Sequence, residues 1–231
     1  MKKSQEEAIV LAGGFGTRLR RVVSGVPKPM APMDMKKTPF LAFVLDKLEA
    51  QGISHVILSV GYLASAIQEY FGNGYKGMLI SYAREKTPLG TGGALKKALQ
   101  ICQSDIVFVL NGDTYFDIDF NAMKEEHLRS KADFTIAAYK MRDFDRYGTL
   151  EVDGDGRIFR FGEKKYCASG FINGGVYCLR RNLLNDVPQR AFSLEKDFLE
   201  KKVEHIHIQA YKSTGYFVDI GVPEDYVAAK K

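Results

Sequence analysis

"VLAGGFGTRLRRVVSGVPKPMAP", residues 10–32, leaves an apolar stretch through Gly13, Gly14 and Gly16, then passes Arg18, Arg20 and Arg21 to a Pro-Lys-Pro centred on Lys28. The apolar part, "AIVLAGG", reads as a buried strand and the rest as the loop that follows it. Downstream, apolar runs alternate with amphipathic ones. "FLAFVLDKLEAQG" has helical spacing and ends at Gly52, and "HVILSVG" is a strand. "LASAIQEYFGNG" is a helix, "GMLISYARE" a strand, "GGALKKALQIC" a helix and "DIVFVLNGD" a strand. A βαβαβαβ series of this kind folds by right-handed crossovers into a mostly parallel sheet with helices on both faces. The opening loop then lies at the carboxyl edge of that sheet, where such folds bind ligands.

After Asp113 the texture changes. A helix at "FNAMKEEHLRSK" and a strand at "DFTIAAYK" precede "GTLEVDGDGRIFRFGEK", two short strands joined by an Asp-Gly turn. "GFINGGVYCL", a helix from about Ser193, a strand "HIHIQAYKS" and "YFVDIGVPEDYVAAKK" complete the chain. No linker, repeat or low-complexity segment divides it, so one continuous sheet with β-rich additions is expected.

With 231 residues, 45% hydrophobic and 26% charged, the composition is that of a globular chain able to bury a core. No apolar run approaches a membrane span, and the first residues do not read as a signal peptide, so a cytoplasmic protein that engages no membrane is expected. The net charge of +5 is modest and interspersed with acidic clusters, which argues against nucleic acid as a partner. Cys102, Cys167 and Cys178 form no C-x-x-C pair and read as buried, inert thiols. The histidines, His55, His127, His205 and His207, read as surface or strand residues.

Four readings compete for the first loop. A Walker loop needs Gly-Lys-Ser/Thr where Gly16-Thr17-Arg18 stands, and a dinucleotide fingerprint needs a glycine where Leu19 stands. A tight connection without function leaves the cluster of Arg18, Arg20, Arg21 and Lys28 unexplained. A polyphosphate cradle explains both features: glycines admit backbone N–H groups to phosphate oxygens, and Arg18 and Lys28 supply a planar fork and a point charge. Pro27 and Pro29 stiffen the chain around Lys28.

"LAGGFGTRLRRVVSGVPKPM" resembles the signature of the sugar-1-phosphate nucleotidylyltransferases, or NDP-sugar pyrophosphorylases. "EKTPLGTGGAL", "LNGD", "YGTLEV", "GEK", "FINGGVY" and "VDIGVPEDY" match the same family in order, over nearly the whole chain. The short length, with no carboxyl-terminal β-helix, and "SGVPKPMAP" are most similar to the guanylyltransferase branch acting on D-glycero-α-D-manno-heptose 1-phosphate in bacterial surface-polysaccharide pathways.

The resemblance implies a single α/β, Rossmann-like (GT-A-like) domain over residues 1–231. Residues 1–115 would serve the nucleotide and 116–231 the sugar phosphate. It implies Mg²⁺-dependent transfer from GTP to a sugar 1-phosphate, with pyrophosphate released. Leu11, Ala12, Gly13, Gly14, Gly16 and Thr17 would line the nucleotide. Arg18 and Lys28 would hold the triphosphate and stabilise the departing pyrophosphate, at a cost of about 2.7–4 kcal/mol if one such contact is lost. Asp113 and Asp219 would hold Mg²⁺, which suits few protein ligands. Glu85, Gly90 and Thr91 would lie near the base, the glycines either admitting it closely or simply starting a helix. A carboxylate at Glu85 accepts only, and guanine offers the adjacent donors N1–H and N2–H₂, which favours GTP.

On the sugar side the resemblance implies Asn111, Tyr147, Gly148, Glu163, Lys164 and Asn173, with Lys165 standing where relatives carry proline. Asp219 would also face the sugar phosphate. Glu195 reads as first-turn acid behind a Ser193 cap or, by resemblance, as a sugar contact. Phe217 replaces a tryptophan common among relatives. Another hexose 1-phosphate or another nucleotide, and a sensing subunit without catalysis, are the alternatives; an NAD-dependent oxidoreductase is disfavoured by Leu19. The sequence is compatible with a homo-oligomer.

Overall fold

The computed structural model describes residues 6–14, 25–61 and 63–230. Four strands form the expected parallel centre: β1 (Glu7–Leu11), β2 (His55–Val60), β4 (Met78–Arg84) and β5 (Ile106–Asn111). A two-residue β3 (Gly74–Tyr75) edges it. Helices α1 (Phe40–Ala50), α2 (Ala64–Phe71) and α3 (Gly90–Leu99) make the crossovers. Gly52, at φ +83°, lets the chain turn out of α1 into β2, as its place after the apolar periodicity suggested.

The sheet continues past β5 through β10 (Cys167–Arg180), β7 (Phe134–Phe144) and β11 (Ile208–Ser213). β10 runs antiparallel to both β5 and β7, and β11 runs parallel to β7, so the sheet is mixed. The Asp-Gly segment is the expected hairpin, β8 (Thr149–Val152) with β9 (Ile158–Phe161), hung on β10. One pairing departs from the expectation of a single continuous sheet. β6 (Thr114–Phe116) and β12 (Phe217–Asp219) form a separate two-stranded antiparallel sheet, with Thr114 opposite Asp219.

Strand alternation divides the core. Ala8, Val10, Val56, Leu58 and Val60 pack on the face shared with α1, α2, α4 (Phe120–Arg129) and α6 (Pro223–Ala229). Ile9, Ile57, Val107 and Val109 face α3 and the segment Leu194–Leu199. That segment is a π-helical turn running into a short α5 (Glu200–Lys202). Ser193 caps it, accepting from the Lys196 N–H while its own N–H donates to Asp197 Oδ2. Among the described residues, no helix is long and apolar enough to cross a membrane.

Two sequence expectations are corrected. Cys102 and Cys178 are buried, with burial pushing the Cys102 thiol up to about 12, but Cys167 is only half-buried at the start of β10. His127 is neither a surface nor a strand residue: it sits in α4 and is 1% exposed. Its Nδ1 pairs with Thr135 Oγ1 at 2.8 Å, and its Nε2 has no partner among the described residues. Burial, and then the charge of Arg180, push its pKa down from 6.5 to about 4, with Asp133 acting the other way and His207 adding to the fall.

The unfolded chain therefore takes up this proton at higher pH than the folded one. Stability from His127 is complete above about pH 7 and falls by about 3 kcal/mol between pH 6.5 and pH 4, with no further loss from this group below. Urea unfolding of the native protein and of His127→Gln at pH 7 and pH 4.5 reads this directly. The variant is expected to lose less stability than the native protein over that interval, and equal losses would contradict the assignment.

Candidate functional site

A cleft of about 930 Å³ opens at the carboxyl edge of β1, β2, β4 and β5. Its lining residues all fall between Leu11 and Asp113. Leu11, Ala12, Gly13 and Gly14 form the turn after β1, and Ala12 N–H donates to Ser59 O at 2.8 Å. Gly16, Thr17 and Arg18, with Arg20 and Arg21, lie outside the described residues. Lys28 begins a 3₁₀ turn, Lys28–Met30, with Pro29 at its second position, so its backbone is set by the proline pair expected to stiffen it.

Charged side chains from three separate segments meet at one end of this cleft. Lys28 Nζ lies 3.0 Å from Asp113 Oδ2. Asp113 stands two residues past the end of β5, and its carbonyl accepts from Ile220 N–H at 2.9 Å, which brings Asp219 alongside. A Cβ on Gly221 would lie 2.7 Å from Asp219 Oδ1, 3.0 Å from Lys28 Nζ and 3.3 Å from Asp113 Oδ2. The absence of a side chain at Gly221 is what lets the three groups crowd together. Burial, followed by the charge of Asp113, pushes the Asp219 carboxyl above its ordinary value, while Gly221 N–H, Lys28 and Tyr147 pull it down. Tyr147 Oη donates to Asp219 Oδ2 at 3.3 Å.

Glu85 marks the opposite end. It follows β4, its N–H donating to Val60 O at 2.8 Å and its Oε2 accepting from Leu89 N–H at 2.9 Å. Burial pushes its carboxyl up, and the Leu89 N–H and the Lys97 charge act against that. Oε1 faces the glycine turn, where a Cβ on Gly13 would stand 2.8 Å away.

The glycines of "GTGG" have another occupant. Gly90, at φ +69°, Gly92 and Gly93 present their Cα atoms to Arg190 and Phe192, and Gly92 N–H donates to Phe192 O at 3.0 Å. Close approach at these positions is therefore used by the 190–192 segment, although Gly90 and Thr91 also border the cleft.

The residues assigned to a sugar phosphate are less gathered. Asn111 borders the cleft. Asn173 spends one amide hydrogen on Tyr177 Oη at 3.0 Å and its carbonyl on Gly175 N–H at 2.9 Å. Glu195 Oε2 accepts from Thr91 Oγ1 at 2.8 Å and Ser193 Oγ at 3.1 Å. Asn111, Asn173 and Glu195 all converge on the buried hydroxyl of Tyr177, a residue the sequence reading passed over as ordinary strand. Its only sequence signal is an aromatic at the end of "FINGGVY". Gly148 is closed on its Cα side by Gly162 O, so the room there is already filled. Glu163 and Lys164 are exposed in the turn between β9 and β10 and are not among the residues that line the cleft. Phe217 stacks on Tyr139 with ring centroids 4.8 Å apart, a packing role that phenylalanine fills without an indole N–H.

A second overlooked residue is Ser59, buried at the end of β2 and bordering the cleft. A serine inside "HVILSVG" carries no local signal of function.

A family model described as Nucleotidyl transferase matches residues 7–231. A D-glycero-alpha-D-manno-heptose 1-phosphate guanylyltransferase of Aneurinibacillus thermoaerophilus is 47% identical, over 97% of each chain. One of the same name from Campylobacter jejuni subsp. jejuni is 44% identical over 95% of this chain and 96% of its own. The crystal structure of HddC from Yersinia pseudotuberculosis complexed with GMP-PN superposes with a TM-score of 0.87 at 37% identity, covering 97% of each chain.

The packing at α3 gives a stability test. A methyl at Gly92 would overlap the buried Phe192 ring, so Gly92→Ala is expected to cost about 1–3 kcal/mol in urea unfolding. Adding Phe192→Ala should remove that increment, the pair losing less than the sum of the two single changes. Simple additivity would contradict the packing described.

Proposed function

From the premise that the chain belongs to the nucleotidyl transferase family, we propose that it joins GTP and D-glycero-α-D-manno-heptose 1-phosphate into GDP-heptose and pyrophosphate. The observation that carries this reading is the meeting of Lys28, Asp113 and Asp219 at one end of a cleft whose other end carries Glu85. That separation suits a nucleoside triphosphate laid along the sheet edge, with the base at Glu85 and the phosphates at Lys28 and the glycine turn.

In the reaction a phosphate oxygen of the sugar 1-phosphate attacks the α-phosphorus of GTP. The bond from that phosphorus to the α,β-bridging oxygen breaks, and the electron pair leaves with pyrophosphate. Lys28 stands where it can neutralise charge gathering on the leaving group, as Arg18 does in this reading from the loop before it. Leu11, Ala12, Gly13 and Gly14 supply the backbone wall against which the nucleotide lies, and Gly16 and Thr17, outside the described residues, are assigned to the nucleotide by the resemblance alone. Gly90 and Thr91 close the wall on the base side.

The paired carboxylates fit a divalent cation. Two acidic side chains crowd one small space, and burial, followed by the charge of Asp113, raises the pKa of Asp219, a strain that a bound cation would relieve. Mg²⁺ keeps several waters and takes few protein ligands, so two carboxylates suit it. Asp113 and Asp219 would hold it, and its charge would make the α-phosphorus more electrophilic.

Glu85 supports guanine. One carboxylate oxygen is committed to Leu89 N–H and the other faces the cleft, an acceptor suited to N1–H and N2–H₂. Asn111, which borders the cleft and hydrogen-bonds the Tyr177 hydroxyl, faces the sugar side in this reading. Tyr147, in the turn between β7 and β8, and Asp219, at the end of β12, face the same side in this reading. Asn173 and Glu195 act there as braces of the wall, given how their polar atoms are already engaged. Gly148, beside Tyr147 and against Gly162 O, borders the sugar phosphate in this reading, with Glu163 on its hydroxyls and Lys164 neutralising its charge. Both substrates are water-soluble metabolites, consistent with work in the cytoplasm.

The test is pyrophosphate release with Mg²⁺ from GTP, ATP, CTP, UTP and dTTP, each paired with a panel of heptose and hexose 1-phosphates. The highest kcat/KM is expected for GTP with the manno-heptose phosphate. Glu85→Gln should erode the preference for GTP over UTP by about tenfold or more. Release from no pair, with GTP still bound, would favour the sensing alternative. An unchanged preference in Glu85→Gln would remove the argument for guanine.

A further inference from the structure

Ser59 occupies an unusual position for a hydroxyl. It is 1% exposed, and its Oγ has no hydrogen-bond partner among the described residues. Buried polar atoms are seldom left in that condition, because desolvation without a partner costs free energy; an exception calls for a physical account. The residue also borders the cleft, so a ligand can reach its surroundings.

Strand register says which part of a ligand that is. The sheet order at this edge is β5-β1-β2-β4. Asp113 follows β5 at one side, and Glu85 follows β4 at the other. Ser59 on β2 is paired with Leu11 on β1 and Ala83 on β4, so it stands on the Glu85 side of the glycine turn, away from Lys28 and Asp113. Its alternation with Ile57, which packs with Leu95 and Ala98 of α3, puts its side chain on the α3 face. Ala83 shares that face and Glu85 continues its period two residues on, while Ala94 of α3 borders the same part of the cleft.

We propose that the Ser59 hydroxyl is a hydrogen-bond partner of the nucleotide base and a specificity-determining group of the cleft, completing from β2 the recognition that Glu85 makes from the end of β4. The inference rests on the nucleotide-binding reading above and deepens it. A hydroxyl both donates and accepts, whereas the Glu85 carboxylate only accepts, so Ser59 can meet a polar atom of the purine that Glu85 cannot. The cost of the unpartnered hydroxyl in the free protein is then recovered when the base is bound.

Calorimetric titration of the full chain and of Ser59→Ala, without sugar phosphate, separates the outcomes. GTP is one probe and inorganic tripolyphosphate, which has no base, is the other. Ser59→Ala is expected to bind GTP about three- to tenfold more weakly, in line with the loss of one hydrogen bond. Its tripolyphosphate affinity should stay within about twofold of the native value, and its unliganded melting temperature should be equal or higher, since an unpartnered buried hydroxyl is gone. Unchanged GTP affinity would overturn the proposal while leaving the function above intact. Equal weakening of both probes, or a lower unliganded melting temperature, would overturn it too, the first by placing the effect on the cleft as a whole and the second by showing that the hydroxyl already has a partner. Failure of the native chain to bind GTP at all would overturn both readings together.

Discussion

Lys28, Asp113 and Asp219 come from three segments far apart in sequence, and they share a space that exists because residue 221 has no side chain. Two carboxylates and one ammonium leave that corner with a surplus of negative charge, and burial raises the cost of holding it. The fold is organised to sustain this arrangement. β1 and β5 lie side by side so that the first loop and the Asp113 turn are neighbours, and the small β6–β12 sheet returns the chain's last quarter to the same edge. A corner that concentrates negative charge attracts a cation, and in the reading proposed above that cation carries the anionic triphosphate with it.

Much of this could be read in the sequence because the signals were local. Gly52 after a helical period, alternating apolar strands and the Asp-Gly turn each specify a short-range conformation, and all three appear where expected. The β6–β12 sheet left no such trace: each strand has three residues, and the pairing joins positions about a hundred residues apart. Nor could periodicity show that β10 runs against β5 and β7, since strand direction follows from the long connections and not from the strand itself.

The site divides in the same way. Asp113 was legible because a charged residue just past a strand in an α/β fold is already at the ligand edge, Lys28 because two prolines fix it in a basic loop, and Glu85 only through the family resemblance. Gly90, Gly92 and Gly148 were harder, since a glycine reports only that something comes close, and here it is Phe192 or Gly162 that does so. Tyr177 and Ser59 gave no sign, because a tyrosine or serine in a strand looks the same whether its oxygen meets water, protein or ligand. Only the hydrogen-bond inventory tells a saturated hydroxyl from an unpartnered one.

The central claim, that the two carboxylates form a cation site beside the triphosphate, is tested most directly by Mn²⁺ titration of the GTP-loaded protein, followed by electron paramagnetic resonance. Asp113→Asn and Asp219→Asn are each predicted to weaken Mn²⁺ binding at least tenfold relative to the native chain. Titration curves that coincide with the native one would contradict the account.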